Sequence, residues 1–287
     1  MMVRELGEFA LLARLQQRLK LSGGPAVVRG IGDDCAVLRP ADGQDLLVTT
    51  DTQEEGVHFR RDWSTAEDIG WRCLAVNVSD IAAMGGEPLG AVVALSLPET
   101  LTAAFVEAMY DGMNALAADY DCPIVGGNIS KSAERLSVTI TVLGSAPRGG
   151  ALCRTSARAG DDIWVTGDLG AAKAGLEALM RPQAVAGLAT GEVSMRYRRP
   201  RPRLREGLYL RQQGTHSQID LSDGLSSDLM HVCEASGVAA RLFADRIPVS
   251  AETRRVAAAL GQDALAMALH GGEDFELCLT AAPGAAE

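Results

Sequence analysis

The chain has 287 residues and a formal net charge of −10, from 27 basic and 37 acidic side chains. Apolar residues make up 47% of the sequence and charged residues 22%, a globular composition that excludes intrinsic disorder. The acidic balance argues against a nucleic-acid partner, and no apolar run reaches the ~18 residues that span a bilayer, so we expect no membrane partner either.

The first half of the chain alternates between helical and strand-like patterns. Its predicted elements are, in chain order, a helix at 5–20, strands at about 26–29, 35–39 and 45–50, a long helix opened by Ser64-Thr-Ala-Glu67 and closed by Gly85-Gly86, a strand at 89–97, a helix at about 100–119, and strands at 122–125 and 135–144.

The second half follows the Pro147-Arg-Gly-Gly150 crossover, which predicts two domains, 1–147 and 148–287. Its predicted elements are a strand at 162–166, helices at 170–181 and 204–213, a strand near 217–221, a helix ending at Gly237, and a strand at 275–280. The basic stretch Arg196–Arg205 is interpreted as the solvated lead-in to a helix. Both halves are therefore expected to be α/β or α+β domains.

The cysteines and the N-terminus favour a cytoplasmic protein. Six cysteines are scattered without a C-x-x-C pair, as is typical of reduced thiols. Residues 1–10 carry acids where a signal peptide would be basic and then apolar.

Acidic residues recur where ligands bind in α/β folds. Asp33 and Asp34 follow a predicted strand in Gly30-Ile-Gly-Asp-Asp-Cys35, where two carboxylates would repel a phosphate unless a cation lay between them. Thr49, Thr50 and Asp51 end another predicted strand and offer only oxygen ligands. A surface Asp-Asp turn and a capped turn are the structural alternatives.

Asp80 is unusual because the helix around it is apolar nearly all round. A buried carboxylate costs several kcal/mol unless it is paired or bound to metal, so we predict a metal ligand. A hydrogen bond to neighbouring backbone is the alternative. Residues 125–132 resemble a phosphate-cradling loop, with Gly127, Asn128 and Lys131 as candidate contacts, although Ser130 excludes a Walker A motif.

Two turns in the second half carry further candidates. Asp220, Ser222 and Asp223 run from a strand end into a helix and suit one cation, while the helix start is expected to offer N–H groups to anionic oxygens. Capping of that helix by Ser222 or Asp223 is the alternative. Glu273 lies in a turn and either binds a cationic group or shapes the turn. His58 follows the first metal-like strand, and no Cys/His pattern predicts zinc.

This number of carboxylates exceeds what one acid–base pair requires. Such oxygen ligands are suited to binding several Mg²⁺ ions, and Mg²⁺ in turn commonly binds polyphosphates. Phosphoryl transfer needs mainly positioning and neutralisation of charge, so the residues themselves predict an enzyme that uses ATP as co-substrate.

The motifs together resemble the thiamine-monophosphate kinase family, in order and over nearly the whole chain. They are Gly30-Ile-Gly-Asp-Asp-Cys-Ala36, Thr49-Thr-Asp-Thr52 with Gly56-Val-His-Phe59, Ala75–Gly85, Asp220-Leu-Ser-Asp-Gly224 and Gly271-Gly-Glu-Asp274.

The resemblance implies an aminoimidazole ribonucleotide synthetase-like fold: an α+β N-terminal domain, 1–147, that binds ATP and metal and pairs its sheet across a homodimer, then an α/β C-terminal domain, 148–287. Relatives continue beyond the position of Glu287 for a few dozen residues, which supply a final strand and an aromatic wall for thiamine. The implied reaction converts ATP and thiamine monophosphate to ADP and thiamine diphosphate by direct in-line transfer.

Carried over by position, the resemblance implies metal, nucleotide and substrate contacts but no catalytic side chain. The implied Mg²⁺ ligands are Asp33, Asp34, Thr49, Thr50, Asp51, Asp80, Asn128, Asp220 and Asp223. The implied ATP contacts are Gly127, Asn128, Lys131, Arg154 and Ser222, and the implied substrate contacts are His58 and Glu273.

Two departures from the family pattern are visible: Asn128 replaces an aspartate of many relatives, and Thr155-Ser-Ala157 replaces Ser-Gly-Ala. The alternatives are another ATP-using member of the superfamily or a catalytically silent ATP-binding dimer. A selenophosphate synthetase would need an N-terminal reactive cysteine and a hydrogenase-maturation dehydratase a C-terminal one, and neither is present in this sequence.

Overall fold

The computed structural model describes residues 14–15, 17–18, 26–29 and 37–284. It divides into two compact units, Met1–Ile81 with Glu87–Gly149 and Ala82–Gly86 with Gly150–Glu287. Residues 14–15 and 17–18 are helical, and the rest of the helix predicted at 5–20 lies outside the described residues. Within the described part of the chain, no helix is long and apolar enough to cross a bilayer.

In its described residues, the first unit contains two sheets and two long helices. Its strands are β1 (Val27–Arg29), β2 (Val37–Leu38), β3 (Gln44–Glu54), β4 (Glu87–Pro98), β5 (Ile124–Ser132) and β6 (Ser137–Pro147), and its helices are α1 (Ala66–Ala83) and α2 (Ala103–Asp119). Strands β1 and β2 form an antiparallel pair, and the other four form a sheet in the order β3-β6-β4-β5. Helix α2 connects β4 to β5, which are parallel and so require a crossover.

Helices α1 and α2 approach each other backbone to backbone. A Cβ atom on Gly70 would lie 1.8 Å from the Met109 carbonyl oxygen, and one on Gly112 would lie 1.9 Å from that of Glu67. Both positions therefore require glycine. Helix α1 also covers one face of the sheet, since a Cβ on Gly144 would lie 3.0 Å from the Ile81 side chain.

No helix among the described residues covers the opposite face of the four-stranded sheet. On β3 the alternation of a strand leaves Leu46 and Val48 exposed by 50% and 62%. Val48 pairs with Leu143, and Thr50 with Thr141. We call this surface the open sheet face; its members are Leu46, Val48, Thr50, Thr52, Val92, Ala94, Thr139, Thr141 and Leu143.

The second unit packs six helices with a three-stranded sheet. Its strands are β7 (Asp162–Val165), β8 (Ser217–Asp220) and β9 (Leu277–Ala281), and its helices are α3 (Ala171–Met180), α4 (Gly191–Arg198), α5 (Leu204–Gln212), α6 (Leu225–Ser236), α7 (Ala251–Ala259) and α8 (Ala264–His270). The strand order is β7-β9-β8, and both outer strands run antiparallel to β9. Helices α4, α7 and α8 were not predicted from the sequence, although Ser250 and Asp263 cap the latter two.

Candidate functional site

In the first unit, β3 and α1 bring two of the predicted ligands into contact. Thr49 and Asp51 lie on the face of β3 that α1 covers, because they are two residues apart in a strand. The Thr49 hydroxyl donates to Asp80 Oδ2 over 2.5 Å. The sequence predicts a fully buried Asp80, but the residue is only half-buried, because it lies close to the end of α1. Two oxygen-bearing side chains therefore meet on this face, with Asp51 two residues along the strand.

Asp51 and His58 form a second pair beside that contact. Burial raises the pKa of the Asp51 carboxyl above its ordinary value, and the nearby His58 partly opposes the shift. His58 lies in the turn after β3, where its Nδ1 accepts the backbone N–H of Glu54 at 3.0 Å. This hydrogen bond places the proton of the neutral imidazole on Nε2.

Thr50 points to the other side of the sheet. Its hydroxyl donates to the Ile140 carbonyl at 3.2 Å and accepts from the Thr141 hydroxyl at 3.0 Å, on the open sheet face. The sequence places Thr49, Thr50 and Asp51 at the end of a strand, but β3 continues to Glu54. The side chain of Thr50 is therefore separated from those of Thr49 and Asp51 by the sheet itself.

The phosphate-cradling loop predicted at 125–132 is wrong, because these residues belong to β5. Gly127 is required by close packing, since a Cβ there would lie 2.1 Å from the Val93 carbonyl oxygen on β4. Asn128 is exposed and pairs with Ala94. Lys131 is exposed and forms a 3.5 Å ion pair with Glu99. The ATP and metal contacts assigned to Gly127, Asn128 and Lys131 stay predictions.

In the second unit, the predicted acidic turn joins β8 to α6. Asp220 is buried at the end of β8, whereas Ser222 and Asp223 are exposed. Neither Ser222 nor Asp223 caps α6; the buried Asp228 accepts the N–H groups of Asp223 and Gly224 at 3.1 and 3.0 Å. These two N–H groups are thus occupied, contrary to the expectation that the helix start offers them to an anion. The exposed Asp223 side chain therefore extends from a turn that the hydrogen bonds of Asp228 stabilise.

Glu273 lies beside this turn. Its N–H donates to the Ser222 carbonyl at 2.8 Å, and the N–H of Phe275 donates to the Leu221 carbonyl at 3.0 Å. A Cβ on Gly272 would lie 2.6 Å from the same Ser222 oxygen, so the two turns touch. Four predicted site residues of this unit therefore belong to one pair of turns: Asp220, Ser222, Asp223 and Glu273. Arg154, in contrast, begins a short 3₁₀ helix, Arg154–Ser156, and is exposed.

Asp274 and Glu276 flank this turn from inside and were not predicted as site residues. Asp274 accepts the N–H groups of Gly170 and Ala172 at 2.6 and 2.9 Å, at the start of α3. Burial raises the pKa of Asp274 to about 6. Glu276 is 1% exposed and accepts hydrogen bonds from Thr166, Arg196 and Arg203.

The basic stretch Arg196–Arg205 is therefore more than a solvated lead-in. Arg196 belongs to α4, and the side chains of Arg196 and Arg203 are only 22% and 24% exposed where they meet Glu276. The opposite charges of the basic stretch and of the segment around Glu276 indicate that the two could pair. The sequence does not indicate which arginine pairs with which acid.

The donor sets of both units fit magnesium by chemistry. Thr49, Asp51 and Asp80 in the first and Asp220 and Asp223 in the second offer hydroxyl and carboxylate oxygens, the ligands that Mg²⁺ prefers. Within residues 37–284, as for the few described residues before them, no group of three or more His, Cys, Asp or Glu side chains converges on one point. Asp33 and Asp34 lie outside the described residues.

Comparison with known proteins relates the chain to one group of kinases. Residues 32–146 match the family described as AIR synthase related protein, N-terminal domain. A curated relative, thiamine-monophosphate kinase of Salmonella typhimurium, is 44% identical over 276 residues, which cover 96% of this chain and 82% of that protein.

Solved structures agree with the sequence relatives. Thiamine-monophosphate kinase from Stenotrophomonas maltophilia K279a superimposes with a TM-score of 0.85 and 42% identity, over 96% of this chain and 86% of that one. AaThiL complexed with AMPPCP and TMP gives a TM-score of 0.80 and 35% identity, over 99% and 88% of the two chains. These similarities confirm the fold and the family expected from the sequence motifs.

Proposed function

This chain belongs to the thiamine-monophosphate kinase family, and we therefore propose that it phosphorylates thiamine monophosphate with ATP, giving thiamine diphosphate and ADP. The observation that carries the proposal is the contact between Thr49 and Asp80 beside Asp51. These oxygens lie at positions where the family motif and the chemistry of the residues both predict a metal ligand.

We assign the binding of Mg²⁺ in the first unit to Thr49, Asp51 and Asp80. Mg²⁺, when bound, supplies neutralisation of the phosphate charges. The Thr49 hydroxyl orients the Asp80 carboxylate through its hydrogen bond. Half-burial keeps Asp51 and Asp80 in a medium where their attraction for a cation is screened less than in bulk water. Asp33 and Asp34 complete this assignment by sequence position alone.

In the second unit we assign Asp220 and Asp223 to metal and Ser222 to ATP. The Asp228 carboxylate holds the turn by two backbone N–H groups, so Asp223 need not be used as a helix cap. Glu273 carries a negative charge suited to the thiazolium or pyrimidine end of thiamine, and His58 offers an Nε2–H to an anionic oxygen.

The acceptor makes a catalytic base unnecessary. A phosphate oxygen of thiamine monophosphate attacks the γ-phosphorus of ATP, and the bond between that phosphorus and the β,γ-bridging oxygen breaks. The attacking oxygen is already ionised at neutral pH, so no hydroxyl proton must be removed. The task of the protein is to position two anions and to suppress their repulsion.

We further propose that the chain forms a homodimer through the open sheet face. Leu46 and Val48 expose apolar surface next to threonine hydroxyls, on a sheet whose other face α1 covers. Apolar side chains on a flat, uncovered sheet are a typical interface between subunits.

The compartment we propose is the cytoplasm. Burial raises the pKa values of the Cys73, Cys122 and Cys278 thiols to about 12, so these cysteines are unreactive side chains of the core. Such thiols persist in a reducing compartment.

A product assay tests the proposed function. Purified protein is incubated with ATP, Mg²⁺ and thiamine monophosphate, and thiamine diphosphate is followed by chromatography. We expect product that disappears when EDTA is added, and none when thiamine replaces thiamine monophosphate. Nucleotide binding without product would instead favour a silent ATP-binding protein.

A further inference from the structure

The turn that carries Glu273 has a backbone that amino acids other than glycine rarely adopt. Glu273 and Phe275 have φ angles of +64° and +51°, and Gly272 between α8 and Glu273 has +67°. Among the described residues that are not glycine, only Asp121 shares this left-handed conformation. A side chain persists there when the surrounding structure enforces it.

Two backbone hydrogen bonds fix the strained residues against the acidic turn. The N–H groups of Glu273 and Phe275 donate to the carbonyls of Ser222 and Leu221. A third backbone hydrogen bond, from the Leu221 N–H to the Glu276 carbonyl at 2.8 Å, joins the same two segments.

The side chains of Asp274 and Glu276 add a second restraint to these backbone hydrogen bonds. Asp274 anchors the turn to the first residues of α3 through the N–H groups of Gly170 and Ala172. A carboxylate at a helix N-terminus also interacts favourably with the helix dipole.

Glu276 anchors the other end of the turn. Arg203 approaches it with two nitrogens, each 2.6 Å from a carboxylate oxygen, and Arg196 lies 2.5 Å from Oε1. A two-pronged arginine contact fixes orientation as well as distance. The fit leaves no spare room, since a Cβ on Gly167 would lie 2.5 Å from the same carboxylate.

We propose that Asp274 and Glu276 are positioning residues that hold Glu273 against the Asp220–Asp223 turn, so that its carboxylate faces the acceptor. Asp274 and Glu276 are both buried, whereas Glu273 is half-exposed. The acceptor part of this inference rests on the proposed function; the restraint of Glu273 does not.

Hydrogen–deuterium exchange in the substrate-free protein tests the restraint. In Glu276→Gln we expect the amides of Glu273 and Phe275 to exchange at least about 10-fold faster, because their hydrogen bonds open more often once the turn is released. Arg203→Lys keeps the charge but loses the two-pronged contact and should give a smaller increase. The Arg203→Lys variant replaces Glu276→Gln in this experiment if Glu276→Gln folds poorly.

Glu107→Gln is the matched control. Glu107 is also a buried carboxylate held by two arginines, Arg14 and Arg18, but it lies on α2 in the first unit. We expect it to lower stability and to leave exchange at 270–276 unchanged. Equal exchange of these amides in the parent chain, Glu276→Gln and Arg203→Lys would overturn the inference.

A kinetic cycle tests the acceptor part. If Glu276 acts through Glu273, Glu276→Gln should lower kcat/KM for thiamine monophosphate about 10-fold in the parent and less than about twofold in a Glu273→Gln background. Equal losses in both backgrounds would show a general structural effect and refute the positioning role. A parent chain that forms no thiamine diphosphate would refute the proposed function, while the exchange experiment still decides the restraint.

Discussion

Asp80 lies where a carboxylate is destabilising unless it is hydrogen-bonded or bound to a cation. It is half-buried on α1 and accepts the Thr49 hydroxyl, which satisfies part of its hydrogen-bonding capacity. We expect Asp80→Asn to keep the fold, because asparagine still accepts that hydrogen bond, and to lower kcat by about 100-fold or more. Outer-shell partners of metal ligands alone are worth about 10–100-fold.

The control for this variant is Asp119→Asn, which removes the same charge from an exposed position at the end of α2. Circular dichroism and the product assay are measured on both. Near-normal turnover in Asp80→Asn, at saturating Mg²⁺, would remove Asp80 from the metal site.

Asp274 gives the second unit a defined pH dependence. Burial raises the pKa of Asp274 in the folded protein from its ordinary value of 3.8 to about 6, so the folded protein binds this proton more tightly than the unfolded chain does. Its contribution therefore weakens stability as pH rises from about 4 to about 6, by roughly 3 kcal/mol in total.

Asp274→Asn lacks this titration. We expect the free energy of unfolding of the parent, minus that of the variant, to fall between pH 4 and pH 6 and to be flat above pH 7. Urea unfolding at intervals of half a pH unit measures it. A difference that stays constant or grows over this range would contradict the assignment.

For single residues, the sequence predicts which side chains are suited to binding a metal better than it predicts which side chains contact each other. The proposed oxygen ligands Thr49, Asp51 and Asp80 were recognisable by residue type, because a carboxylate in apolar surroundings needs a hydrogen-bonding partner or a cation. The contacts of Glu276 were not, since Arg196 and Arg203 lie 80 and 73 positions away and are chosen by packing.

Strand β5 shows how a motif misleads at the scale of elements. Val125-Gly-Gly-Asn128 favours a loop because glycine weakens strands. The glycine is present for another reason, since β4 passes too close to Gly127 for any Cβ. Strands β4 and β5 are far apart in sequence because α2 lies between them, so the close contact at Gly127 leaves no local signal in the sequence. The caps of α7 and α8 were local signals, and helices with them were predictable in principle.

The open sheet face predicts an oligomer that a single substitution can break. Val48→Lys places a charge on β3 within this face, where Val48 is 62% exposed and where burial against a second copy would leave the charge unpaired. We expect a change from dimer to monomer in sedimentation analysis. Met230→Lys, on α6 and exposed by 55%, adds the same charge elsewhere and should leave the mass unchanged. A Val48→Lys protein of unaltered mass would place the interface elsewhere.

At the scale of the whole molecule, each of the two units contains its own candidate site residues. Thr49, Asp51, Asp80 and His58 belong to the first unit, and Asp220, Ser222, Asp223 and Glu273 to the second. The roles assigned to domains 1–147 and 148–287 stay predictions. Each unit forms its own part of the proposed machinery by its own local contacts, so neither is expected to turn over ATP and thiamine monophosphate alone.

The sequence predicts a division near 147–150 but gives no sign that Ala82–Gly86 packs with the second unit. That packing depends on Gln218, whose amide donates to the carbonyls of Ala82 and Ala83, and on the Leu152 N–H, which donates to Met84. Contacts of this range follow from the assembled fold and not from periodicity.

The most direct test of the central claim follows the γ-phosphate itself. Protein is mixed with ATP labelled with ³²P at the γ-position, Mg²⁺ and thiamine monophosphate, and the reaction is quenched within one turnover. We expect label in the terminal phosphate of thiamine diphosphate, equal in amount to the ADP formed, with none bound to protein. Label on a protein side chain, or released as free phosphate, would contradict direct metal-assisted transfer.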